Sequence, residues 1–464
     1  MIPLAQASLL GQVEVAIVGG GGCGMTAALA AAEAGAETLV LERDASPLGT
    51  TAMSTGLIPA AGTRFQQAAG IDDTPEVFAA DVLGKAQQQT DPDIALALAQ
   101  ASAATVHWLV DAHDVPLTLV DSFRYPGHTH MRMHGTPNRT GRELMGALAN
   151  AVGRLEVPVL CEARVADLII AEDDRIAGVR IARPDGSTED LGCGALVLAC
   201  CGFGGNAEMV AEYIPEIAGG VFHGHPGNTG DAVRWGLELG AQVLDMTGYQ
   251  GHGGLAKDHG VPILWPVIMQ GGVQVNAQGE RFSNEARGYS EQAVDVLRQP
   301  GGFAWTVYDQ ARHELMLEFD DYRDAIEAGA LRQHDTIAGL AAQLSVPVDG
   351  LAATAAAVDA LREDPAPDTF GRSFAGTQPF AGPYYAVKVT GALFHTQGGL
   401  RVDAVGQVQR ADGRTLPNLF AGGGAARGIS GPGAWGYLAG NGLLTATTFG
   451  RLAGTAAAQV ARSA

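Results

Sequence analysis

The stretch Val13-Glu14-Val15-Ala16-Ile17-Val18-Gly19-Gly20-Gly21-Gly22-Cys23-Gly24 decides the fold. Its first six residues are mostly β-branched or apolar and predict a buried strand. Gly19, Gly21 and Gly24 fit G-x-G-x-x-G. The first glycine permits a tight turn, the second lets backbone approach a pyrophosphate, and the third lets helix pack closely on strand. Met25 to Ala32 continue as a strong helix former. The start of that helix offers free N–H groups and a positive dipole end to phosphates. A second strand, Glu37-Thr38-Leu39-Val40-Leu41, ends at Glu42, an acid about 20 residues beyond the glycines and able to accept from a ribose hydroxyl. Glycines alone also make ordinary turns. Strand, glycines, helix, strand and acid in this order predict a dinucleotide site.

At 464 residues the chain exceeds the usual single-core size, so two domains or one elaborated domain are expected. Hydrophobic residues, 47% of the total, suffice for a large core. A formal net charge of -21 argues against nucleic acid or an anionic membrane surface as a partner held by bulk electrostatics. The five cysteines, Cys23, Cys161, Cys193, Cys200 and Cys201, show no paired spacing, which argues against a disulfide framework, a zinc site or attached haem. Cys200 and Cys201 end an apolar run and read as small core residues. Met1 to Gln12 contain no basic region and no long apolar core, so no signal peptide is expected. No uninterrupted apolar run approaches membrane-span length. The expectation is a cytoplasmic protein with no membrane span, no bound metal and no nucleic-acid partner.

Beyond Glu42, the hydroxyl-rich run Ser46 to Gly56 offers donors to a cofactor or forms a plain surface turn. Residues 75 to 113 predict helix. Asp121 to His134 hold His128, His130, His134, Arg124 and Arg132 without any period; the spacing matches no familiar zinc pattern and predicts a substrate-facing or structural loop. Strands are expected at Ala166 to Ile170 and Ile176 to Ile181, and Ala195 to Asn206 again runs an apolar strand into glycines. His225 to Asp231 lead into a helix containing Ala232 to Leu239. Residues 246 to 380 carry Gly251-His252-Gly253-Gly254, Gly279 to Tyr289 and a helix-rich run from Ala311 to Glu363, with no nucleotide signature. The expected organisation is therefore 1–245 for the first part of a dinucleotide-binding domain, 246–380 for an inserted domain and 381–464 for the second part.

Together these pieces resemble the FAD-dependent fumarate reductase/succinate dehydrogenase flavoprotein superfamily, which also contains the 3-ketosteroid dehydrogenases. The resemblance covers nearly the whole chain. Its most specific parts are the opening site, Ala199 to Asn206, Thr229-Gly230-Asp231, Arg281-Phe282-Ser283-Asn284-Glu285, His395-Thr396-Gln397-Gly398-Gly399, Leu419 to Gly423 and Gly440-Asn441-Gly442. It implies an α/β fold: a Rossmann-type FAD-binding domain with an inserted α+β capping (substrate) domain. It implies FAD held by Gly19, Gly21, Gly22, Gly24, Glu42 and Arg43, then by Gly49, Thr50, Thr51, Ser54 and Gly56. Val165, Gly202, Asn206, Asp231, Gly423, Gly424, Asn441, Leu443 and Leu444 complete the implied set. The FAD is expected to be non-covalent, since Thr50-Thr51-Ala52-Met53 lacks the histidine to which the membrane complexes attach theirs.

The superfamily divides by what holds and protonates the substrate. In fumarate reductases an arginine four residues after the glutamate of R-F-x-N-E donates the proton; the fourth residue after Glu285 here is Tyr289. In 3-ketosteroid dehydrogenases a tyrosine at that spacing is the base. A second arginine, which clamps the substrate carboxylate, lies three residues before the glycine of G-N-A; counting back from Gly440 gives Tyr437. Gly431-Pro432-Gly433 resembles the G-P-G turn whose backbone N–H polarises the ketone in the Δ1-type enzymes, although Ile429 stands where those have a second tyrosine. His252 and His395 match histidines that hold substrate, or are satisfied by backbone. A dicarboxylate needs bidentate guanidinium contacts, whereas a ketone needs neutral donors and a base. The resemblance thus implies an FAD-dependent oxidoreductase acting on CH–CH groups, a dehydrogenase placing an α,β double bond in a cyclic ketone, either a 3-ketosteroid or an oxocyclohexane. Tyr289 would be the base, with Tyr437 and the Gly433 N–H at the enolate oxygen. The electron acceptor is open among oxygen, a quinone and a carrier protein. The alternatives are a fumarate reductase-like reductase of an enoate or dicarboxylate, which needs Arg124, Arg132 or Arg287 as a substitute, and a non-catalytic flavoprotein.

Overall fold

The computed structural model describes residues 1–463, which divide into two compact units. The first comprises Met1–Tyr213, Gly224–Tyr249 and the chain from His395 onward. Its centre is a nine-stranded sheet. The apolar run at the start of the chain becomes the strand Leu9–Val18, paired in parallel with Thr38–Leu41 on one side and Thr188–Leu198 on the other. Thr415–Ala421 adds a further parallel partner to Thr188–Leu198, with Leu196 opposite Leu419 and Leu198 opposite Ala421. Arg164–Ile170 and Ile176–Ala182 extend the sheet as an antiparallel pair.

Alternate residues of the central strands enter different cores. Ala16, Val18, Leu196 and Leu198 pack into one cluster, and Val15, Ile17, Ala195 and Val197 into another. Both faces are therefore covered, as a continuous apolar strand requires. On one face lies the helix Gly22–Glu33, against the final helix Asn441–Ser463. Their approach depends on glycine. A Cβ on Gly454 would stand 2.2 Å from the Ala27 carbonyl oxygen, and one on Gly450 2.6 Å from that of Cys23.

The helix Pro92–Asp111 is long and apolar enough, by length and composition, to cross a membrane. No uninterrupted apolar run announces it, because Gln100 and His107 break the stretch. Asp91 caps its start, with Oδ1 accepting from the N–H of Asp93 at 3.1 Å and of Ile94 at 3.3 Å. Ala95, Leu98 and Ala99 enter the first core, and Val106 and Leu109 the second.

The irregular segment rich in histidine and arginine is a buried polar network within this unit. Arg132 donates to Asp73 from Nε at 2.6 Å and Nη2 at 2.8 Å, and also pairs with Asp81. Its Nη1 lies 3.3 Å from His128 Nδ1, and His128 Nε2 donates to the Ala439 carbonyl at 2.9 Å. His134 donates from Nδ1 to the Arg132 carbonyl at 2.8 Å and accepts from Thr63 Oγ1 at 2.9 Å. The segment thus tethers the turn immediately before Gly440.

The second unit comprises Ile214–His223 and Gln250–Phe394. Its six-stranded sheet is built on the long strand Tyr384–Thr396, which pairs antiparallel with Ala304–Asp309 and with Leu331–His334. Val273–Val275 continues beyond Ala304–Asp309, and the short strand Val221–Phe222 pairs in parallel with Ala392 and Leu393. These pairings explain the unit's extent beyond residues 246–380. The ladder draws in the long strand after residue 380, and a two-residue strand draws in 214–223. The helices Ile337–Leu344 and Val348–Ala360 pack with Val273, Val275, Trp305 and Val307 in one core. The expected helix-rich run is four helices between Gln310 and Ala360, interrupted by Leu331–His334.

Candidate active site

A cleft opens in the first unit at the C-terminal ends of three adjacent parallel strands, where Val18 and Leu41 end two of them and Ala199 follows the third. This is where ligands bind in open α/β sheets. Gly19 turns at φ 102, and a Cβ there would lie 2.7 Å from the Ala199 carbonyl. A Cβ on Gly24 would lie 1.8 Å from the Gly19 carbonyl, so the protein itself demands both glycines. Gly21 differs: its Cβ would meet only Thr51 Oγ1, at 3.8 Å. Side-chain-free backbone facing an open cleft suits close approach by a pyrophosphate.

Polar side chains brace this turn. Thr51 Oγ1 accepts from the Gly22 N–H at 3.1 Å. Glu42, almost fully buried, accepts from the Gly20 N–H at 2.8 Å and the Asp44 N–H at 3.0 Å. Its carboxylate therefore holds the glycine loop, and each oxygen keeps a lone pair for a ribose hydroxyl. Thr50 Oγ1 accepts from the His225 N–H at 3.1 Å and from Asn228 Nδ2 at 2.8 Å. Arg43 donates to the Gly227 carbonyl at 3.0 Å.

Of the residues expected at FAD, Gly19, Gly21, Gly22, Glu42, Arg43 and Gly49 line the cleft, as do Thr50, Thr51, Val165, Asp231, Gly423 and Gly424. Gly24, Ser54, Gly56, Gly202, Asn206, Asn441, Leu443 and Leu444 are not among the residues that line this cleft. Ser54 Oγ donates to the Thr51 carbonyl at 2.7 Å, and Asn206 Nδ2 to the Thr229 carbonyl at 3.1 Å. Gly56 turns at φ 66 against the Thr140 carbonyl, and Gly202 leaves room for Thr396 Oγ1, which accepts from the Phe203 N–H at 3.3 Å. Leu444 is a core residue and Leu443 packs on the other core.

Cys23, Cys200, Cys201, His225 and Asn228 also line the cleft, and sequence reasoning passes over them. Cys200 and Cys201 follow from the rule that strand C-terminal ends meet the ligand, and Cys23 from its place in the first turn of the helix Gly22–Glu33. His225 and Asn228 reach it only through the long-range bonds to Thr50. Burial pushes the Cys23 and Cys200 thiols up to about 12, so they are packing walls rather than thiolates. Among the described residues, no group of three or more histidine, cysteine, aspartate or glutamate side chains could hold a metal ion. The residues fit FAD: the Gly21 backbone opens on the cleft with only Thr51 Oγ1 near its would-be Cβ, and the buried Glu42 carboxylate keeps lone pairs beside it.

Two clusters carry the other expected site residues. In the first unit, His395 and Tyr437 meet edge to face with ring centroids 5.4 Å apart. Tyr437 Oη accepts from the Gly442 N–H at 3.4 Å, and burial raises its phenol above the usual range. Gly433 is buried, and its N–H has no acceptor among the described residues. Buried N–H groups without a partner are rare.

In the second unit, His252 stacks between Tyr289 and Phe394, at centroid distances of 5.1 and 4.9 Å. Trp265 stands edge-on to both His252 and Tyr289. His252 Nδ1 accepts from the Gly254 N–H at 3.0 Å, which leaves its hydrogen on Nε2. Burial, with His223 adding to it, lowers His252 to about 3, so it is neutral. Tyr289 opens the helix Tyr289–Leu297. The preceding motif is pinned by charge. Glu285, fully buried, accepts from Arg281 Nη2 at 2.7 Å and Arg372 Nη1 at 3.0 Å. Burial pulls its carboxyl up, but the guanidiniums of Arg372 and Arg281 outweigh this and hold it below the usual range.

Of the three arginines that a dicarboxylate reading would draw on, only Arg132 is buried in its ion pairs. Arg132 is held by Asp73 and Asp81, Arg287 donates to Asp295 at 2.7 Å, and exposed Arg124 donates to the Thr129 carbonyl at 3.0 Å.

Comparison with known proteins fits this geometry. A family model described as FAD binding domain matches residues 14–443. A probable fumarate reductase of Shewanella frigidimarina is 31% identical over 450 residues, covering 96% of this chain and 75% of that protein. The open conformation of a flavocytochrome c3 fumarate reductase superposes with a TM-score of 0.83 at 29% identity, covering 99% of this chain and 80% of that one. The 3-ketosteroid-Δ4-(5α)-dehydrogenase of Rhodococcus jostii, solved with 4-androstene-3,17-dione, shares the fold with a TM-score of 0.76 at 22% identity, covering 99% of this chain and all of that one. The chain belongs to the FAD-binding family of the fumarate reductase/succinate dehydrogenase flavoprotein superfamily and is an FAD-dependent oxidoreductase.

Proposed function

We propose that this flavoprotein is a dehydrogenase that introduces an α,β double bond into a cyclic ketone. The observation that carries this reading is the neutrality of the expected substrate groups. Tyr289 and Tyr437 stand where the two arginines would be, His252 is neutral, and Arg132 is buried in ion pairs with Asp73 and Asp81. Neutral hydrogen-bonding groups suit a ketone, whereas a dicarboxylate calls for bidentate guanidinium.

In the proposed reaction the Tyr289 phenolate removes the α-proton and becomes a phenol. Tyr289 begins its helix, where the positive end of the macrodipole favours negative charge. The electron pair left on the α-carbon moves toward the carbonyl oxygen, which Tyr437 O–H and the Gly433 N–H stabilise as an oxyanion. When bound, FAD supplies the acceptor for the β-hydrogen and its two electrons. His252 and His395 orient the ring through neutral imidazole N–H groups.

The names of the sequence relatives favour a second reading, a reductase of an enoate or dicarboxylate in the fumarate reductase manner. It runs in the opposite direction and needs a proton donor at Tyr289. The test is to incubate the FAD-loaded enzyme with a saturated 3-ketosteroid or 4-oxocyclohexanecarboxylate and an artificial electron acceptor. A product lighter by two hydrogens supports the proposal. No ketone product, together with rapid fumarate reduction by the reduced enzyme, supports the second reading.

A further inference from the structure

His395 ends a chain of four buried or half-buried polar side chains. Asn441 Nδ2 donates to Ser430 Oγ at 3.1 Å, and Ser430 Oγ donates to Gln397 Oε1 at 2.7 Å. Gln397 Nε2 lies 3.0 Å from His395 Nδ1. Ser430 and Asn441 are fully buried and Gln397 is nearly so. A hydroxyl that accepts from Asn441 gives its one hydrogen to the amide oxygen of Gln397. The Gln397 amide hydrogen then points at His395 Nδ1, which must accept.

The reverse direction is the only other way to satisfy the chain. It would have His395 Nδ1–H donate to Gln397 and Ser430 donate to Asn441. It leaves the Asn441 amide nitrogen where its Oδ1 now stands, an atom without a partner. A buried NH2 without an acceptor is a heavier penalty than an under-used carbonyl oxygen. The Thr396 carbonyl offers Nδ1 a competing contact at 3.4 Å, longer than an ordinary N–H···O bond. Burial holds His395 at about 4, so one ring nitrogen is bare at neutral pH.

We propose that Asn441, Ser430 and Gln397 are positioning residues, a one-way relay that fixes His395 as the tautomer with its hydrogen on Nε2. The Cε1–Nε2 edge of the ring faces Gly442, where a Cβ would stand 2.7 Å from each of the two atoms. Glycine at this position thus leaves space for the donor edge of the imidazole. The inference stands apart from the substrate class, since a ketone oxygen and a carboxylate both accept from N–H.

The test is ¹⁵N NMR of the FAD-loaded protein labelled at its 12 histidines, with His395→Asn to assign the resonance. The wild-type protein shows a bare, pyridine-type Nδ1 and a protonated Nε2. Gln397→Glu places a carboxylate against Nδ1, which only accepts, so the hydrogen moves to Nδ1. Ser430→Ala frees the Gln397 amide to turn and yields both tautomers. Flavin absorbance reports that each variant keeps its cofactor. A protonated Nδ1 in the wild type overturns the proposal, and so does a spectrum left unchanged by Gln397→Glu. If Gln397→Glu loses FAD, an unchanged single tautomer in Ser430→Ala overturns it.

Discussion

Gly24 and Tyr289 show the two ways a single residue matters in this protein. A methyl group on Gly24 would enter the Gly19 carbonyl, which is backbone and has nowhere to go. Gly24→Ala must push the first helix off its strand, a strain of about 1–3 kcal/mol by comparison with other overpacked sites. Because the helix start is also the phosphate-binding element, FAD affinity is expected to fall by roughly tenfold or more. Flavin titration of the refolded apoprotein measures this, and wild-type affinity would contradict the account. Tyr289 is different, since its hydroxyl is the proposed base and its ring stacks on His252. Tyr289→Phe keeps the ring, and is expected to retain FAD and lose about 100-fold or more in kcat, the usual contribution of a proton-transfer group. Steady-state kinetics with full flavin occupancy decides this; a wild-type rate would remove Tyr289 as the base.

At the scale of elements, contact between the first and last helices depends on small residues. Gly454→Val would drive a branched side chain into the Ala27 carbonyl, and about 1–3 kcal/mol of stability should be lost. Gly146 is the control. It lies in the exposed face of the helix Gly141–Arg154 with nothing within 4 Å of its would-be Cβ. Gly146→Ala should stabilise by roughly 0.5–1 kcal/mol through helix propensity. Denaturant melts of both variants test the contrast, and equal effects would contradict it. The elements themselves were largely legible. The strand Leu9–Val18, the glycine turn and the helix Gly22–Glu33 follow from β-branched residues, glycine spacing and an alanine-rich run. What pairs with them at long range was not legible. Nothing local in Val221 and Phe222 says that they pair with Ala392 and Leu393, and nothing in Glu42 says that it braces Gly20. The histidines and arginine between His128 and His134 have no period, because their partners, Asp73, Asp81, Thr63 and Ala439, lie in other segments.

At the scale of the whole molecule, buried neutral histidines make stability depend on pH. Burial lowers His128 and His134 from 6.5 to about 4. His395 falls to about 4 and His252 to about 3 for the same reason. Above pH 6.5 these groups are neutral folded or unfolded and contribute no pH dependence. Between about 6.5 and 4 the unfolded chain binds protons that the folded chain refuses, so stability falls as pH falls. Each such histidine adds up to about 1.4 kcal/mol per pH unit. Thermal melts should therefore show Tm dropping steeply from pH 6.5 to pH 4, and a flat Tm across that window would contradict the burial of these neutral rings. The same neutrality supports the proposed ketone substrate, and the most direct test is anaerobic. The oxidised, FAD-loaded enzyme is mixed with a saturated cyclic ketone, and in parallel the reduced enzyme is mixed with fumarate, while flavin absorbance is followed. A cyclic-ketone dehydrogenase bleaches with the ketone and is not quickly reoxidised by fumarate; rapid reoxidation by fumarate, with no bleaching by any cyclic ketone, would contradict that function.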